Sequence, residues 1–463
     1  MVVDNRARRG SAGPRPAPWA KQAAPTPAEL PPGLPARLLA AAVLAEVAAG
    51  QPLDDVLASD VMAHRLAALD TRDRVLARTI AMVALRHLGT IRKTLSRLIE
   101  RGLPKRSGSL EWTLVVAAAQ IMFMDVPDHA AVDLCVKATR HDPKSMPFAA
   151  LSNAVARNLT RLTAEEADPD PFVDTPAWLA ARWRAAYGLE RAAAIAAAHR
   201  QEAALDITPR SDAAGWAERL GGTLLPTGSI RLHNSTPVPE LPGFDEGGWW
   251  VQDTAATLPA RLLGVQPGQR VADLCAAPGG KTAQLAAAGA DVLAVDRSAE
   301  RLKRLKGNLD RLGLKAETTV ADAASFSAAP FDAILLDAPC TATGTLRRHP
   351  DVAWIKRASD LAALGILQAR MLDRAVTLLK PNATLVYCVC SLEPEEGEAQ
   401  IAALLRRNPD VVRRPVLAHE LPELPEALTA LGDLRTLPSM RLGPEPGAAG
   451  IDGFYAARLV RQT

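Results

Sequence analysis

Three thiols sit where a folded chain can put them to chemical use. Cys340 lies in "DAPCTATG", Asp337 to Gly344, and Cys388 and Cys390 lie one residue apart in "YCVCS", Tyr387 to Ser391. A cysteine is a nucleophile, a soft metal ligand or half of a disulfide, so residue type alone leaves three chemistries open. Spacing narrows them. A zinc site built from Cys275, Cys340, Cys388 and Cys390 lacks a C-x-x-C pair and the usual separations, and no metal is expected. Five cysteines in 463 residues, an odd number with no framework spacing, fit a reducing compartment and free thiols. Cys135, in a helical pattern, and Cys275, at the end of an apolar run, read as core residues.

The elements that must hold these thiols are legible in the C-terminal half. The β-type runs "RVADLCAA", "DVLAVD", "ETTVAD", "FDAILLDAP" and "ATLVYCVCS" alternate with helical stretches, which indicates an α/β, doubly wound, Rossmann-like sheet. "GFYAARLVR" reads as a last strand near the sheet edge. Cys340 then follows the fourth strand and Cys390 the fifth. Adjacent parallel strands run about 5 Å apart, so the two thiols are expected to meet at one crevice. Strand parity puts Cys388 and Cys390 on the same face, with Cys388 deeper and in the core.

That crevice has further polar groups. "DLCAAPGGKT", Asp273 to Thr282, joins the first strand to a helix, and Pro278, Gly279 and Gly280 permit a tight turn against a ligand. The turn lacks both the dinucleotide fingerprint and the P-loop pattern, which disfavours NAD and ATP. Asp296, Asp322 and Asp337 close the second, third and fourth strands; each alone reads equally well as a helix N-cap, but together they line a ligand crevice. The candidate cofactor-binding set is Cys275, Ala276, Ala277, Pro278, Gly279, Gly280 and Lys281 with Asp296, Asp322 and Asp337.

Upstream, the chain divides into three more segments. Residues 1–33 carry five basic and two acidic residues, which accounts for the whole net charge of +3, and read as a disordered basic arm. Residues 34–164 have i, i+3, i+4 apolar spacing and predict an all-α domain. Within it, residues 85–106 hold Arg86, Arg92, Lys93, Arg97, Arg101, Lys105 and Arg106 against Glu100, a net +6 that suits a phosphate backbone as well as it suits a solvated face. Residues 165–248 open on an acidic, Pro-containing linker and predict a small α+β module, leaving 249–463 for the Rossmann-like domain. No apolar run reaches the length of a membrane span and no secretory h-region opens the chain, so a soluble cytoplasmic protein with no membrane partner is expected.

"LCAAPGGKT", "DAPCTATG" and "CSLEPEE" resemble the signatures of the RNA cytosine-C5 methyltransferases, which use S-adenosylmethionine and carry one cysteine in each of the last two motifs. "TRDRVLARTIAMVALRH", "VPDHAAVDLCVKATR" and "LSNAVARNLTR" resemble a NusB-like RNA-binding domain. That domain joined to "TPAWLAARWRAAYG" and "GGWWVQDTAATLPARLL" is the arrangement of bacterial 16S ribosomal RNA cytosine-C5 methyltransferases, over nearly all of 34–461. The resemblance implies Cys390 as nucleophile toward cytosine C6, Cys340 as the group that assists product release, Asp337 on the base edge and Lys281 as the residue that orients Asp337. It implies S-adenosylmethionine as methyl donor and 16S ribosomal RNA, or a small-subunit assembly intermediate, as partner, with the chain acting as a monomer. A helix N-terminus expected just after Cys390 would lower its pKa, with Glu393, Glu395, Glu396 and Glu398 capping that helix. Arg347, Arg348 and His349 in "TLRRHPD" are expected at RNA phosphates. The extra Cys388, where the signature usually has a small residue, and the Pro/Gly-rich "RLGPEPGAAG" before Asp452, Gly453 and Phe454 depart from the pattern.

Other classes remain. DNA cytosine methyltransferases also use a Pro-Cys pair, but as nucleophile and without a second thiol at the Cys390 position. A non-catalytic NusB-like adaptor would bind RNA and incorporate no methyl label. Transfer RNA is the alternative substrate.

Overall fold

The computed structural model describes residues 30–162, 170–233, 236–443 and 448–462. The basic arm up to residue 29, the start of the acidic linker and part of the "RLGPEPGAAG" loop lie outside the described residues.

Eight helices, α1 (Leu34–Ala48), α2 (Leu53–Ala58), α3 (Asp60–Ala67), α4 (Thr71–Arg86), α5 (Leu88–Leu98), α6 (Leu110–Phe123), α7 (Asp128–His141) and α8 (Ala149–Leu159), make the first unit. Their apolar stripes face inward because each helix must bury one side. In α6 the run Leu114 to Ala119 is buried without interruption, so this helix occupies the middle of the bundle. Asp70 caps α4 by accepting from the Asp73 amide at 2.7 Å. Cys135 is buried in this core.

Helix α9 (Ala177–His199), interrupted at Gly188 where φ is 78°, follows. Strands β1 (Leu205–Pro209), β2 (Thr223–Leu224), β3 (Ile230–Leu232) and β4 (Trp249–Val251), with α10 (Ala213–Leu220), form a small antiparallel sheet in the order β2-β3-β1-β4. β4 pairs with β1 through Ile207 and Val251, so this sheet runs past residue 248. α9 buries Leu179, Trp183, Ile195 and Ala196 against Leu346, Val352, Leu392 and Leu437 of the last unit rather than against the small sheet.

The last unit is a twisted sheet of eight strands. Its strands are β5 (Arg270–Leu274), β6 (Asp291–Asp296), β7 (Glu317–Val320), β8 (Phe331–Asp337), β9 (Leu379–Val389), β10 (Val411–Arg413), β11 (Leu434–Arg435) and β12 (Tyr455–Arg461). The order is β10-β12-β9-β8-β5-β6-β7, with β11 also on β12. β9, β8, β5, β6 and β7 are parallel; β12 lies antiparallel to β9 and is one strand from the edge. Helices α11 (Thr254–Leu263) and α12 (Gly280–Ala287) cover one face. Helices α15 (Ala358–Thr377) and α16 (Glu398–Arg407) cover the other. Helix α13 (Ala299–Leu312) packs beside the β5–α12 turn, and the one-turn helix α14 (Val352–Ile355) leaves the sheet to meet the helical unit. The α/β Rossmann-like class and the all-α N-terminal unit agree with the sequence reading.

Candidate active site

Strand β9 presents its residues by parity. Leu385, Tyr387 and Val389 pack on the α15 and α16 face, whereas Val386 and Cys388 pack on the α11 face with Cys390 beyond them. Cys388 is fully buried, and its Sγ lies 3.4 Å from Asp337 Oδ1. Because β8 is the parallel neighbour of β9, with Asp337 opposite Cys388, the segments leaving the two strands start side by side. Cys340 Sγ and Cys390 Sγ stand 3.6 Å apart. The contact with Cys390 and burial hold the Cys340 thiol well above its ordinary range.

The two cysteine loops are tied by short backbone and hydroxyl contacts. Gly344 N–H donates to the Cys390 carbonyl at 3.0 Å, and Gly453 N–H donates to the Gly344 carbonyl at 2.8 Å. A Cβ on Gly344 would fall 1.9 Å from the Gly453 carbonyl oxygen, so this approach requires glycine. Thr341 Oγ1 and Ser391 Oγ are 3.2 Å apart, and the Leu392 amide donates to Thr343 Oγ1 at 3.0 Å. Buried Glu396 accepts from the Thr341 amide at 3.0 Å and from Gln368 Nε2 at 3.1 Å.

Lys281, in the first turn of α12, donates from Nζ to Asp337 Oδ2 at 2.9 Å, and the Phe454 ring lies 5.1 Å from the same ammonium. Burial opposes that charge, but Asp337 outweighs it and holds Lys281 above its ordinary value. Asp337 thus keeps a cationic partner beside the two thiols.

The turn before α12 runs at Gly279 through φ 106°, a conformation natural to glycine. It leaves the first amides of α12 without intrahelical acceptors, a ready anion site. Asp273 at the end of β5 accepts from Thr282 Oγ1 at 2.6 Å, while its buried Oδ1 has no partner in the protein. Burial pushes the Asp273 carboxyl up to about 7. Asp296 is buried and takes the amides of Ala277 at 3.2 Å and Ser298 at 3.0 Å; Asp322 is exposed and takes the Ala324 amide at 2.9 Å. Helix amides for a carboxylate, carboxylates for hydroxyls and an amine, and a small-residue turn match the donor and acceptor set of S-adenosylmethionine.

Several expectations change. Cys275 is not a residue of the first strand: it follows β5 with φ 66°, partly buried, and burial pushes its thiol up to about 12. Asp322 stands two residues beyond β7 rather than at its end. No helix begins just after Cys390, because α16 starts at Glu398 and residues 391–397 are loop. Glu393 and Glu396 are fully buried in that loop, so they hold loops instead of capping a helix. Arg347 and Arg348 are not presented to an outside phosphate. Both are buried or nearly so, Arg348 bonding Asp253 at 2.6 Å, Asp452 at 3.3 Å and the Ala204 carbonyl at 3.0 Å. His349 lies 3.9 Å from Asp54. Of the seven basic residues in 85–106, Arg86 is buried and donates to the Arg347 carbonyl at 3.0 Å, while the other six are exposed.

Among the described residues, no group of His, Cys, Asp and Glu is placed to hold a metal ion, and no helix is long and apolar enough to cross a membrane. The contact of Phe454 with Lys281, the bonds of Glu396 to Thr341 and Gln368, and the Thr341–Ser391 contact were not legible in the sequence. "DGF" was visible as a motif, but its contact with Lys281 depends on β12 returning beside β9.

The family described as 16S rRNA methyltransferase RsmB/F matches residues 260–460, and the NusB family matches residues 34–161. "Ribosomal RNA small subunit methyltransferase B" of Cronobacter sakazakii is 34% identical over 444 residues, 92% of this chain and 98% of that protein. The Salmonella arizonae protein of the same name is 35% identical with the same coverage. Among solved structures, a methyltransferase homolog from Pyrococcus horikoshii is 26% identical with a TM-score of 0.52, covering 65% of this chain and 100% of that one. The fold alone is shared with PH0851, at 24% identity and a TM-score of 0.69 over 93% of this chain and 99% of that one.

Proposed function

We propose, from the premise that the chain belongs to the RsmB/F family of 16S rRNA methyltransferases, that it methylates C5 of a cytosine through a covalent adduct on Cys390. The observation that carries this reading is the thiol pair 3.6 Å apart beside the Lys281–Asp337 ion pair.

Cytosine C5 is a weak nucleophile, so a thiolate adding to C6 is the physical route to an enamine-like C5. Cys390 forms the S–C6 bond and the displaced electron pair loads C5. S-adenosylmethionine, held by the Cys275–Lys281 turn with Asp296 and Asp322, supplies an electrophilic methyl group when bound. Once C5 carries the methyl group, its proton must leave and the S–C6 bond must break, which returns the electron pair to the ring and the thiolate to Cys390. Cys340, 3.6 Å from Cys390, assists that release: once it has given its own proton to water, its thiolate takes the proton from C5. Asp337, paired with Lys281, accepts a hydrogen bond from the exocyclic amine of the base. The base must leave its stack to reach this crevice, so a loop or partly melted helix of the RNA is the substrate form. The NusB-like unit and the small sheet supply the grip on that RNA, in the cytoplasm and without a partner subunit.

Two variants test the reading. Cys390→Ala abolishes incorporation of methyl label from S-adenosylmethionine, and Cys340→Ala accumulates an RNA adduct that survives a denaturing gel. Adduct accumulation on Cys390→Ala would reverse the roles. Bisulfite sequencing of ribosomal and transfer RNA from cells with and without the gene identifies the substrate; a lost signal confined to transfer RNA would sink the 16S assignment.

A further inference from the structure

The Cys390 loop lacks the helix backing that its position suggested, so its geometry must come from elsewhere. Residues 391–397 carry no regular structure, yet Ser391, Glu393 and Glu396 are fully buried. Glu396 is accounted for by Thr341 and Gln368. Glu393 points the other way, into α9. Its Oε1 accepts from Trp183 Nε1 at 3.1 Å, its Oε2 accepts from Arg182 Nε, and Arg182 also reaches Glu395. Tyr187 OH, one turn on along α9, donates to the Leu392 carbonyl. The same Glu393 touches Thr343 Oγ1 at 3.5 Å, and its amide donates to Ser391 Oγ at 3.0 Å.

We propose that Glu393, gripped by Arg182 and Trp183, is a positioning residue for Cys390, so that α9 sets the reach of the nucleophile toward the base. This rests on the reading of Cys390 given above. The inference follows from burial and count. A carboxylate with no exposure needs every bond it makes, because losing one leaves an uncompensated buried charge or donor. Burial raises the Glu393 carboxyl and Arg182 opposes that rise, so the two groups depend on each other. Two residues separate Glu393 from Cys390, and the hydroxyl of one of them, Ser391, touches both cysteine loops. A loop held this way transmits a change at Glu393 to the thiol as a displacement, to which a nucleophilic step is steeply sensitive.

The test uses the full chain with Trp183→Phe, Arg182→Lys and Glu393→Gln, each keeping most of the volume at its site. Expected is a fall in kcat of about tenfold or more with KM for RNA within about twofold. The rate of adduct formation in a Cys340→Ala background is expected to fall in parallel. Should Glu393→Gln fail to fold, Arg182→Lys and Trp183→Phe, each of which changes one donor to Glu393, decide the matter. Unchanged kcat in folded Trp183→Phe and Arg182→Lys overturns the proposal, as does a loss confined to KM. Cys390→Ala measured alongside separates the two readings. Methyl transfer retained there overturns the role of Cys390 and this proposal with it; transfer lost there with Trp183→Phe unaffected overturns this proposal alone.

Discussion

Lys281 is where charge, packing and chemistry converge. Its ammonium is nearly buried, pairs with Asp337 at 2.9 Å and lies under the Phe454 ring. Replacing it by Met keeps the packing against Phe454 but leaves Asp337 without its cation, so the carboxylate loses its fixed direction. Lys281→Met is expected to lower kcat/KM for RNA by about a hundredfold, a magnitude typical of losing one preorganised electrostatic group. A loss below about threefold in steady-state kinetics would remove Lys281 from the reactive set. Cys388 behaves differently. It is buried core beside Asp337, and Cys388→Ala, the small residue that the family signature favours, is expected to leave methyl transfer within about twofold. The apparent C-x-C pair is therefore one residue on the α11 face of β9 and one just beyond the strand's end on the same side, and it is the outer one that meets Cys340.

At the level of elements, β5 and α12 are joined across the cofactor turn by one hydrogen bond, Thr282 Oγ1 to Asp273. Asp273 has a pH signature because burial pushes it up to about 7, against about 3.9 in an unfolded chain. Below about pH 4 the carboxyl is neutral in both states. Between that value and about 7 the folded protein holds a proton that the unfolded chain has released, so this group makes stability fall as pH rises. Asp273→Asn stays neutral throughout and still accepts from Thr282. Urea midpoints of the two proteins are expected to converge near pH 4 and to diverge toward pH 8, with the variant the more stable; parallel curves would refute the assignment. Element by element, legibility followed the range of the forces. Strand ends were legible because period-2 burial and terminal acids are written in consecutive residues, which is why the meeting of Cys340 and Cys390 was foreseeable. The role of the 393–396 glutamates was not. Glu393 is held by Trp183 and Arg182, about two hundred residues earlier in the chain, and Glu396 by Thr341 and Gln368.

Across the whole molecule, the segment that leaves Cys340 is also the segment that joins the units. Trp354 Nε1 donates to the Leu85 carbonyl at 2.8 Å, the Leu53 amide donates to Asp351 at 3.0 Å, and Arg86 reaches the Arg347 carbonyl. Arg348 sits among Asp253, Asp452 and Asp206, and burial beside Asp253 pushes Asp452 up to about 7. Arg348→Met would leave these carboxylates short of a cation, and a loss of about 3–5 kcal/mol is expected in urea unfolding of the joined units. The remaining basic residues of 92–106 face solvent instead. Arg97, Arg101 and Lys105 are exposed on α5 and the loop after it, so each is placed to displace one condensed counterion from an RNA phosphate. The triple change Arg97→Gln, Arg101→Gln and Lys105→Gln is expected to weaken binding to a 16S fragment and to reduce the slope of log affinity against log salt by about 2 to 3. At saturating RNA the turnover rate should be unchanged, since none of the three touches the cysteine loops. Filter binding from low to high salt reads the slope directly, and an unaltered slope would place the RNA on another face of the helical unit.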